Sequence, residues 1–457
     1  MSDSTDTGQD YFARGAAAIG RADYSAAKVA LQRCVELAPE NIEAWCYLGI
    51  ATTFREPNIA AGALDRALAI DANHLGSLYW RAEVHWLQDE PDQAARLLAR
   101  MNELAPNAAQ NLARMAYAYQ SAGETAAARD AFEAALAAGD GLSSVDARQD
   151  ELRRAFYLDA LGRRDEALAL VRRVCERGLA SEYPRTRYPR DLNEQRRALE
   201  AVVAGRDLII LGSGPSLGQL EPLLTELGRD ACESLCFFGF NSVPVAESMV
   251  RDAIDRPLDI ACMTVANVIE QHEAWLLEFI NRADRANLFC TLANALVPDS
   301  DVTRSVTARR ERAFYFAAAG DYPPIPDDPL HFPPINALMC VLPIAVLARP
   351  RRIFLFGCDG AAPVERDRDT PVYFRQQSAA YGPRTADNQH YARWLARDTF
   401  FFNAMIPMVL ASLSALHGCP VPLIYNCNPD SAYRPFPRVA ARDFLTLHEH
   451  EGARRSR

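Results

Sequence analysis

Amide, hydroxyl and imidazole side chains stand in this chain at the ends of short apolar runs, where a folded sheet would gather them along one edge. Leu208 to Leu211 run straight into Gly212, Ser213, Gly214, Pro215 and Ser216, and a helical pattern follows from about Leu217. A buried strand closed by such a turn offers backbone N–H groups and a helix N-terminus to an anion. An ordinary tight strand–helix turn reads the same way, so the argument rests on the company this one keeps. Four further apolar runs end in Asn241, near Thr264 and Asn267, in Asp359, and in the Asn426 to Ser431 stretch that contains Asn428 and Pro429. Neutral amides and hydroxyls suit a nucleotide base, ribose and sugar hydroxyls, whereas a magnesium or calcium cage is built from several carboxylates. His390, in Asn388-Gln-His-Tyr391 just before a helical pattern, is a candidate general base because imidazole titrates near neutrality.

The patterns that would specify other chemistry are missing. There is no G-x-x-x-x-G-K-[ST] loop, and the Gly212 turn is not G-x-G-x-x-G. Asp367-Arg-Asp369 has the spacing of a metal-holding pair but lies in a charged stretch that reads as solvated. That stretch, 361 to 389, carries Arg366, Arg368, Arg375, Arg384, Tyr373 and Tyr381. It reads as a lid whose arginines and tyrosines would stabilise phosphate charge.

The elements that must position these residues alternate. Strands are expected at 208–211, 234–240, 258–265, 287–293, 352–356 and 422–425. Helices are expected at 192–203, 268–280, 336–347 and 391–416, with an irregular, proline-containing stretch at 297–334. Alternation of this kind predicts a mostly parallel sheet with helices on both faces. About 250 residues follow the first part of the chain, enough for a single Rossmann-like domain with an inserted lid and too few for two facing halves.

Before residue 178 the chain repeats itself. Leu37-Ala-Pro-Glu-Asn41, Ile70-Asp-Ala-Asn73 and Leu104-Ala-Pro-Asn107 mark equivalent helix ends. Tyr11, Gly15, Ala27 and Pro39 fit a first unit; Trp45, Leu48, Gly49, Ala61 and Ala67 fit a second that is one residue short. Ala82, Ala94, Leu98 and Pro106 fit a third; Ala116, Tyr119, Ala128, Phe132 and Ala135 a fourth; Ala155, Leu158, Gly162 and Ala167 a looser fifth. This spacing resembles the tetratricopeptide repeat family, which implies an α-helical solenoid over 8–178 whose concave face holds a peptide or protein. A spacer or dimerisation device is the alternative. A linker and connecting helix (179–204), the α/β domain (205–440) and a charged tail (441–457) follow.

Composition narrows the partners. A net charge of −10 argues against a general nucleic-acid binder. The 11 cysteines include no C-x-x-C pair and read as reduced and buried. The acidic start, Met1 to Asp6, is unlike a secretory signal, and the longest apolar region, 404–416, is interrupted by Pro407. A cytoplasmic protein with no integral membrane segment is expected, with peripheral attachment at the inner membrane compatible with it.

Taken in order, the Gly-Ser-Gly-Pro-Ser-Leu217 turn, Asn241, the Met339-Cys340 helix, Gly357-x-Asp359, Asn388-x-His-Tyr391 and Tyr425-x-x-x-Pro429-x-Ser431 resemble the bacterial sialyltransferases of glycosyltransferase family 42. They are also similar to the motility-associated (Maf) glycosyltransferases. The resemblance covers about 205–440 and implies a GT-A-like, Rossmann-like fold. It further implies inverting transfer of a sialic-acid-like (nonulosonic) sugar from a CMP donor, with no metal or other cofactor. The acceptor would be a glycan or a protein such as flagellin. By the same resemblance His390 deprotonates the acceptor hydroxyl, and Asn241 and Asn336 contact the donor. Gly212 to Ser216 and Asn428 to Ser431 then line the cytidine side. Two positions depart from the family: Ile335-Asn336 replaces a Ser-Gly pair, and Ala361 replaces a phosphate-contacting tyrosine. A second resemblance, through the glycine-rich turn alone, is to the archaeal 6-hydroxymethylpterin diphosphokinase-like proteins. A non-catalytic repeat scaffold is the third reading.

Overall fold

The computed structural model describes the chain apart from residues 1–5, 21–23, 54–55, 89, 106–108, 139–143, 177–191, 242, 264–271, 283–286, 293–299, 319–329, 333–335, 361–388 and 450–457. It divides into two compact units, residues 1–142 with 388–397, and residues 143–387 with 398–457.

The first unit is built from helical hairpins: α1 (Gly8–Gly20) with α2 (Tyr24–Leu37), α3 (Ile42–Thr52) with α4 (Pro57–Ile70), α5 (Leu75–Leu87) with α6 (Pro91–Leu104), and α7 (Ala109–Ser121) with α8 (Thr125–Ala137). Each hairpin also packs on the next, through α2 with α3, α4 with α5 and α6 with α7. The first helices begin at residues 8, 42, 75 and 109, a tetratricopeptide-like period of 34, 33 and 34. The caps follow from residue type. Asn41 Oδ1 accepts the Ala44 N–H at 3.0 Å, and Pro57 and Pro91 open α4 and α6, where a missing N–H costs nothing. Small residues set the helix spacing. A Cβ at Gly15 would stand 2.5 Å from Leu31 Cγ, and one at Gly49 would stand 2.5 Å from Leu64 Cγ.

The expected one-residue shortening of the second unit falls between α3 and α4. Gly15 and Gly49 are therefore 34 apart, while their partners Leu31 and Leu64 are 33 apart. The buried counterpart of Ala27 is for the same reason Ala60 and not Ala61, which is only partly buried. The fifth hairpin, α9 (Ser144–Ala160) with α10 (Arg164–Glu176), turns at Gly162 with φ +78° and is counted in the second unit.

The second unit continues through α11 (Leu192–Val203) into an eight-stranded sheet, ordered β6-β5-β4-β3-β2-β1-β7-β8 and parallel throughout. The strands are β1 (Asp207–Leu211), β2 (Leu235–Phe240), β3 (Ile260–Met263), β4 (Leu288–Leu292), β5 (Ala313–Ala318), β6 (Leu330–Phe332), β7 (Arg352–Phe356) and β8 (Leu423–Asn426). Between and after them run α12 (Leu220–Ala231), α13 (Val243–Ile254), α14 (Glu273–Asn281), α15 (Asp301–Ala308), α16 (Ala337–Leu347), α17 (Gln389–His417) and α18 (Asp443–Glu449). All five residues of β1 are buried, and four of them, Leu208 to Leu211, form the continuous apolar run of a central parallel strand. Ile209 and Leu211 share one core with α12, α13, α14, α15 and α18, and the pleat turns Leu208 and Ile210 to the other face. On that side α11 packs against β4, β5 and α16.

Several expectations change here. The stretch expected to be irregular, 297–334, contains α15, β5 and β6. Asp301 follows the N-cap Ser300, and the apolar Ala313–Ala318 pairs with β4, although arginines and a glutamate precede it. Helix α13 had not been expected. Strand β3 begins at Ile260 and not at Leu258; Asp259, just before it, uses its carboxylate to accept the Phe237 N–H at 2.8 Å and to pair with Arg256. The charged segment after residue 441 holds α18, whose Phe444 is fully buried against Phe354 and Phe356. Pro407 does not break α17. By length and composition Leu395–His417 could cross a membrane, yet Phe402, Ile406, Val409 and Leu413 are buried within the protein. The ten cysteines whose side chains are described are unpaired and buried.

Candidate functional site

Strands β2 to β6 extend the sheet outward on one side of β1, and the chain then returns to add β7 and β8 on the other. The direction of winding therefore reverses between β1 and β7. In open α/β sheets that reversal opens a crevice at the carboxyl ends of the strands, where ligands are bound. The glycine-rich turn leaves β1 at this point, and Gly357-Cys358-Asp359-Gly360 leaves β7 beside it.

The two turns interlock through backbone. Gly212 N–H donates to Phe356 O and Gly214 N–H to Gly357 O, both at 2.8 Å. A Cβ at Gly212 would lie 2.3 Å from Gly357 O, and one at Gly214 would lie 2.3 Å from Asp359 Oδ2. Gly357 itself has φ +66°, a conformation that a side chain disfavours. Only glycine lets these backbones approach so closely.

Asp359 ties the turns to a third segment. Its carboxylate accepts the Ser216 N–H at 3.0 Å, the Ser216 hydroxyl, and Asn428 Nδ2 at 2.8 Å. The loop after β8 is held in the same way. Asn426, fully buried, donates to Cys358 O at 3.0 Å and to Ser431 Oγ at 2.9 Å. Ser431 Oγ lies 3.0 Å from Cys358 O and accepts the Tyr433 N–H at 3.1 Å. From α17, Asn403 donates to Ala432 O at 2.9 Å and accepts the Arg434 N–H at 3.0 Å. Hydrogen bonds to a charged acceptor contribute roughly 1.5–3 kcal/mol each, so this junction is a rigid frame. Ser213 is different. It is half-buried, and neither its N–H nor its hydroxyl is bonded within the described residues.

Of the residues singled out from sequence, Gly212, Gly214, Ser216, Asp359, Asn428 and Ser431 are thus brought together. Pro215 starts a short 3-10 turn, Pro215–Gln219, and Pro429 is exposed on the β8 loop. Asn241 ends β2 with φ +54° and donates its N–H to Cys262 O at 2.9 Å. An amide side chain is the type that tolerates that backbone. Asn336 is the N-cap of α16: its Oδ1 accepts the Met339 N–H at 3.0 Å, and its Nδ2 has no partner among the described residues. His390 lies in the first turn of α17 with its side chain outside the described residues. Thr264, Asn267 and the expected lid also lie outside them.

Sequence reasoning missed Asn403 as a member of the frame, and it noted Gly357 and Asn426 only within their motifs, without giving either a role of its own. The signal for Asn426 was a polar residue at the last position of an apolar strand. Two reactive-looking groups in the frame are chemically quiet. Burial, with the Asp359 charge beside it, pushes the Cys358 thiol well above its ordinary range, and burial likewise pushes the Tyr433 phenol up. Neither is a nucleophile near neutrality. Among the described residues, no three His, Cys, Asp or Glu side chains are gathered as a metal-ligand set.

No family model matches the chain, and no curated protein matches it. Solved structures that resemble part of it are helical-repeat proteins. A structure titled as TTC0263, a thermophilic TPR protein in Thermus thermophilus, is 22% identical over 40% of this chain and 97% of its own, with a TM-score of 0.32. MamA 41-end from Desulfovibrio magneticus RS-1 is 16% identical over 39% and 98%, with a TM-score of 0.31. A further MamA structure is 23% identical over 35% and 92%, with a TM-score of 0.28.

Proposed function

We propose that the second unit is a Rossmann-like, GT-A-like glycosyltransferase. It transfers a nonulosonic, sialic-acid-like sugar from a CMP donor to a hydroxyl of a glycan or a protein, without a metal. The repeats recruit the acceptor or an assembly partner. The observation that carries this reading is Ser213: an N–H and a hydroxyl with no partner among the described residues, on a glycine-rich turn at the point where the sheet reverses. A rigid donor at that point favours an anion such as the CMP phosphate, and its fixed geometry costs no reorganisation when charge develops there.

In this mechanism the acceptor hydroxyl gives its proton to a general base, the role that the sequence resemblance assigns to His390. The acceptor oxygen attacks the anomeric carbon from the face opposite CMP. The bond to the CMP phosphate oxygen breaks with its electron pair staying on CMP, and configuration inverts. Asn241, Asn336 and the Asn428 to Ser431 loop hold the donor.

Calorimetry with CMP, with and without magnesium and EDTA, tests the reading. CMP binding that EDTA leaves unchanged is expected, and absence of CMP binding sinks it. Magnesium-dependent ATP binding would point instead to a diphosphotransferase. His390→Ala is expected to keep CMP binding and lose transfer by roughly 10²–10⁴-fold; undiminished turnover removes the base assignment. The internal bonding of Ser216, Asp359, Asn428 and Ser431 favours one second reading, a non-catalytic scaffold, for which neither nucleotide binds.

A further inference from the structure

The repeat unit buries a carboxylate. Glu83, on α5, is 4% exposed, although glutamates are almost never fully buried unless paired. Its partner is Arg397, in the 388–397 segment that belongs to the same unit. The Arg397 guanidinium bonds Glu83 Oε2, and its Cζ lies 5.9 Å from the centroid of the Trp86 ring. Trp86 is 7% exposed and stands three residues after Glu83, so acid and indole share one face of α5.

A carboxylate beside an indole face selects for arginine. The carboxylate accepts N–H donors from the planar guanidinium, and the ring attracts the same cation. Lysine, a strongly hydrated point charge, matches the acid but lacks the flat group. A buried carboxylate left without its cation is costly, so a pocket of this composition needs an occupant. Here the arginine is carried by a helix, α17.

We propose that the Glu83–Trp86 pocket is the repeats' recognition site for an arginine on a helical segment of a partner protein, and that Arg397 occupies it as an internal stand-in. Because the stand-in is covalently attached, its effective concentration is high, and a free competitor binds weakly until it is removed.

The test uses a fluorescein-labelled peptide of residues 388–399 and the same peptide carrying R397A, each titrated with the full chain by fluorescence anisotropy. The arginine peptide is expected to bind the R397A protein at least tenfold more tightly than it binds wild type. It is also expected to bind that variant at least tenfold more tightly than the alanine peptide does. The double variant E83Q/R397A should lose this preference. Equal affinities of the two peptides for R397A, or no binding of either, overturn the proposal. Circular dichroism checks that R397A is folded, and R397M, which keeps an apolar stem, replaces it if it is not. In wild type the arginine peptide should still be preferred at weaker affinity, and equal affinities there also count against the pocket.

Discussion

Glycine allows close approach in both units, but against different neighbours. In the repeats Gly15 and Gly49 lie against the side chains of Leu31 and Leu64, 16 and 15 residues further along the chain. In the sheet unit Gly212 lies against the backbone carbonyl of Gly357, 145 residues away. A leucine can change rotamer; a carbonyl at the end of a central strand cannot move without its strand. The repeats are therefore a sum of local, adjustable contacts, whereas the sheet junction is a set of long-range contacts that form together or not at all.

The sharpest break in that comparison is expected at Asp207, the fully buried first residue of β1. Its carboxylate accepts from Arg351 and Arg352 and lies 2.8 Å from His448 Nδ1, joining parts of the chain as much as 241 residues apart. Asp207→Asn is expected to cost the second unit about 3–5 kcal/mol in urea denaturation, since it leaves the buried Arg352 and the partly buried Arg351 without their anion. Burial alone would raise this carboxyl, but hydrogen bonds from His448, Arg351 and Arg352 outweigh burial and hold it well below the usual carboxylate range. A group depressed in the folded state contributes its stability above the unfolded pKa of about 4, and that stability is lost as pH falls below it. Wild type should thus lose stability on acidification below about pH 4 more steeply than Asp207→Asn does; parallel acid limbs would remove Asp207 as the cause.

Gly212→Ala comes next, at about 2–3 kcal/mol, because the added Cβ meets backbone 2.3 Å away. Thermal unfolding of the second unit reads it. The smallest effect is Gly49→Ala. Displacement of Leu64 is offset by the roughly 1 kcal/mol helix preference of alanine over glycine, so the net cost is expected to stay below about 1 kcal/mol. A Gly49→Ala cost equal to that of Gly212→Ala would show that side-chain and backbone neighbours are equally unyielding, and the distinction would fall.

Legibility in the sequence follows the same division. The repeat period could be read directly, including the short second unit, because small residues recur where neighbouring helices touch. Its error, Ala61 for Ala60, is the displacement expected when a missing residue is put on the wrong side of a turn. In the second unit, α11 and β7 were expected with the bounds they have, since an amphipathic helix and an isolated apolar run each declare themselves locally. Strand β5 did not, because Arg309 to Arg312 precede it and only pairing with β4 makes Ala313–Ala318 a strand. Helix α18 was hidden by its charges, since Phe444 has a place only once Phe354 and Phe356, alternate residues of β7, present one face of the sheet.

The glycine-rich turn and the polar residues at strand ends were visible as types in order, because a strand's end is a local event. The partners of Asp359 were not visible: Ser216 is 143 residues away, Asn428 is 69, and no local preference links them. Sequence alone determined the repeat period, the apolar strand cores and the residue types that end them, all consequences of neighbours within a few helical turns or one pleat. Only the tertiary structure decided the strand order, with its reversal between β1 and β7, and the enclosure of Asp359 by its three donors. Those depend on which distant segments meet, and that is set by packing the whole sheet at once.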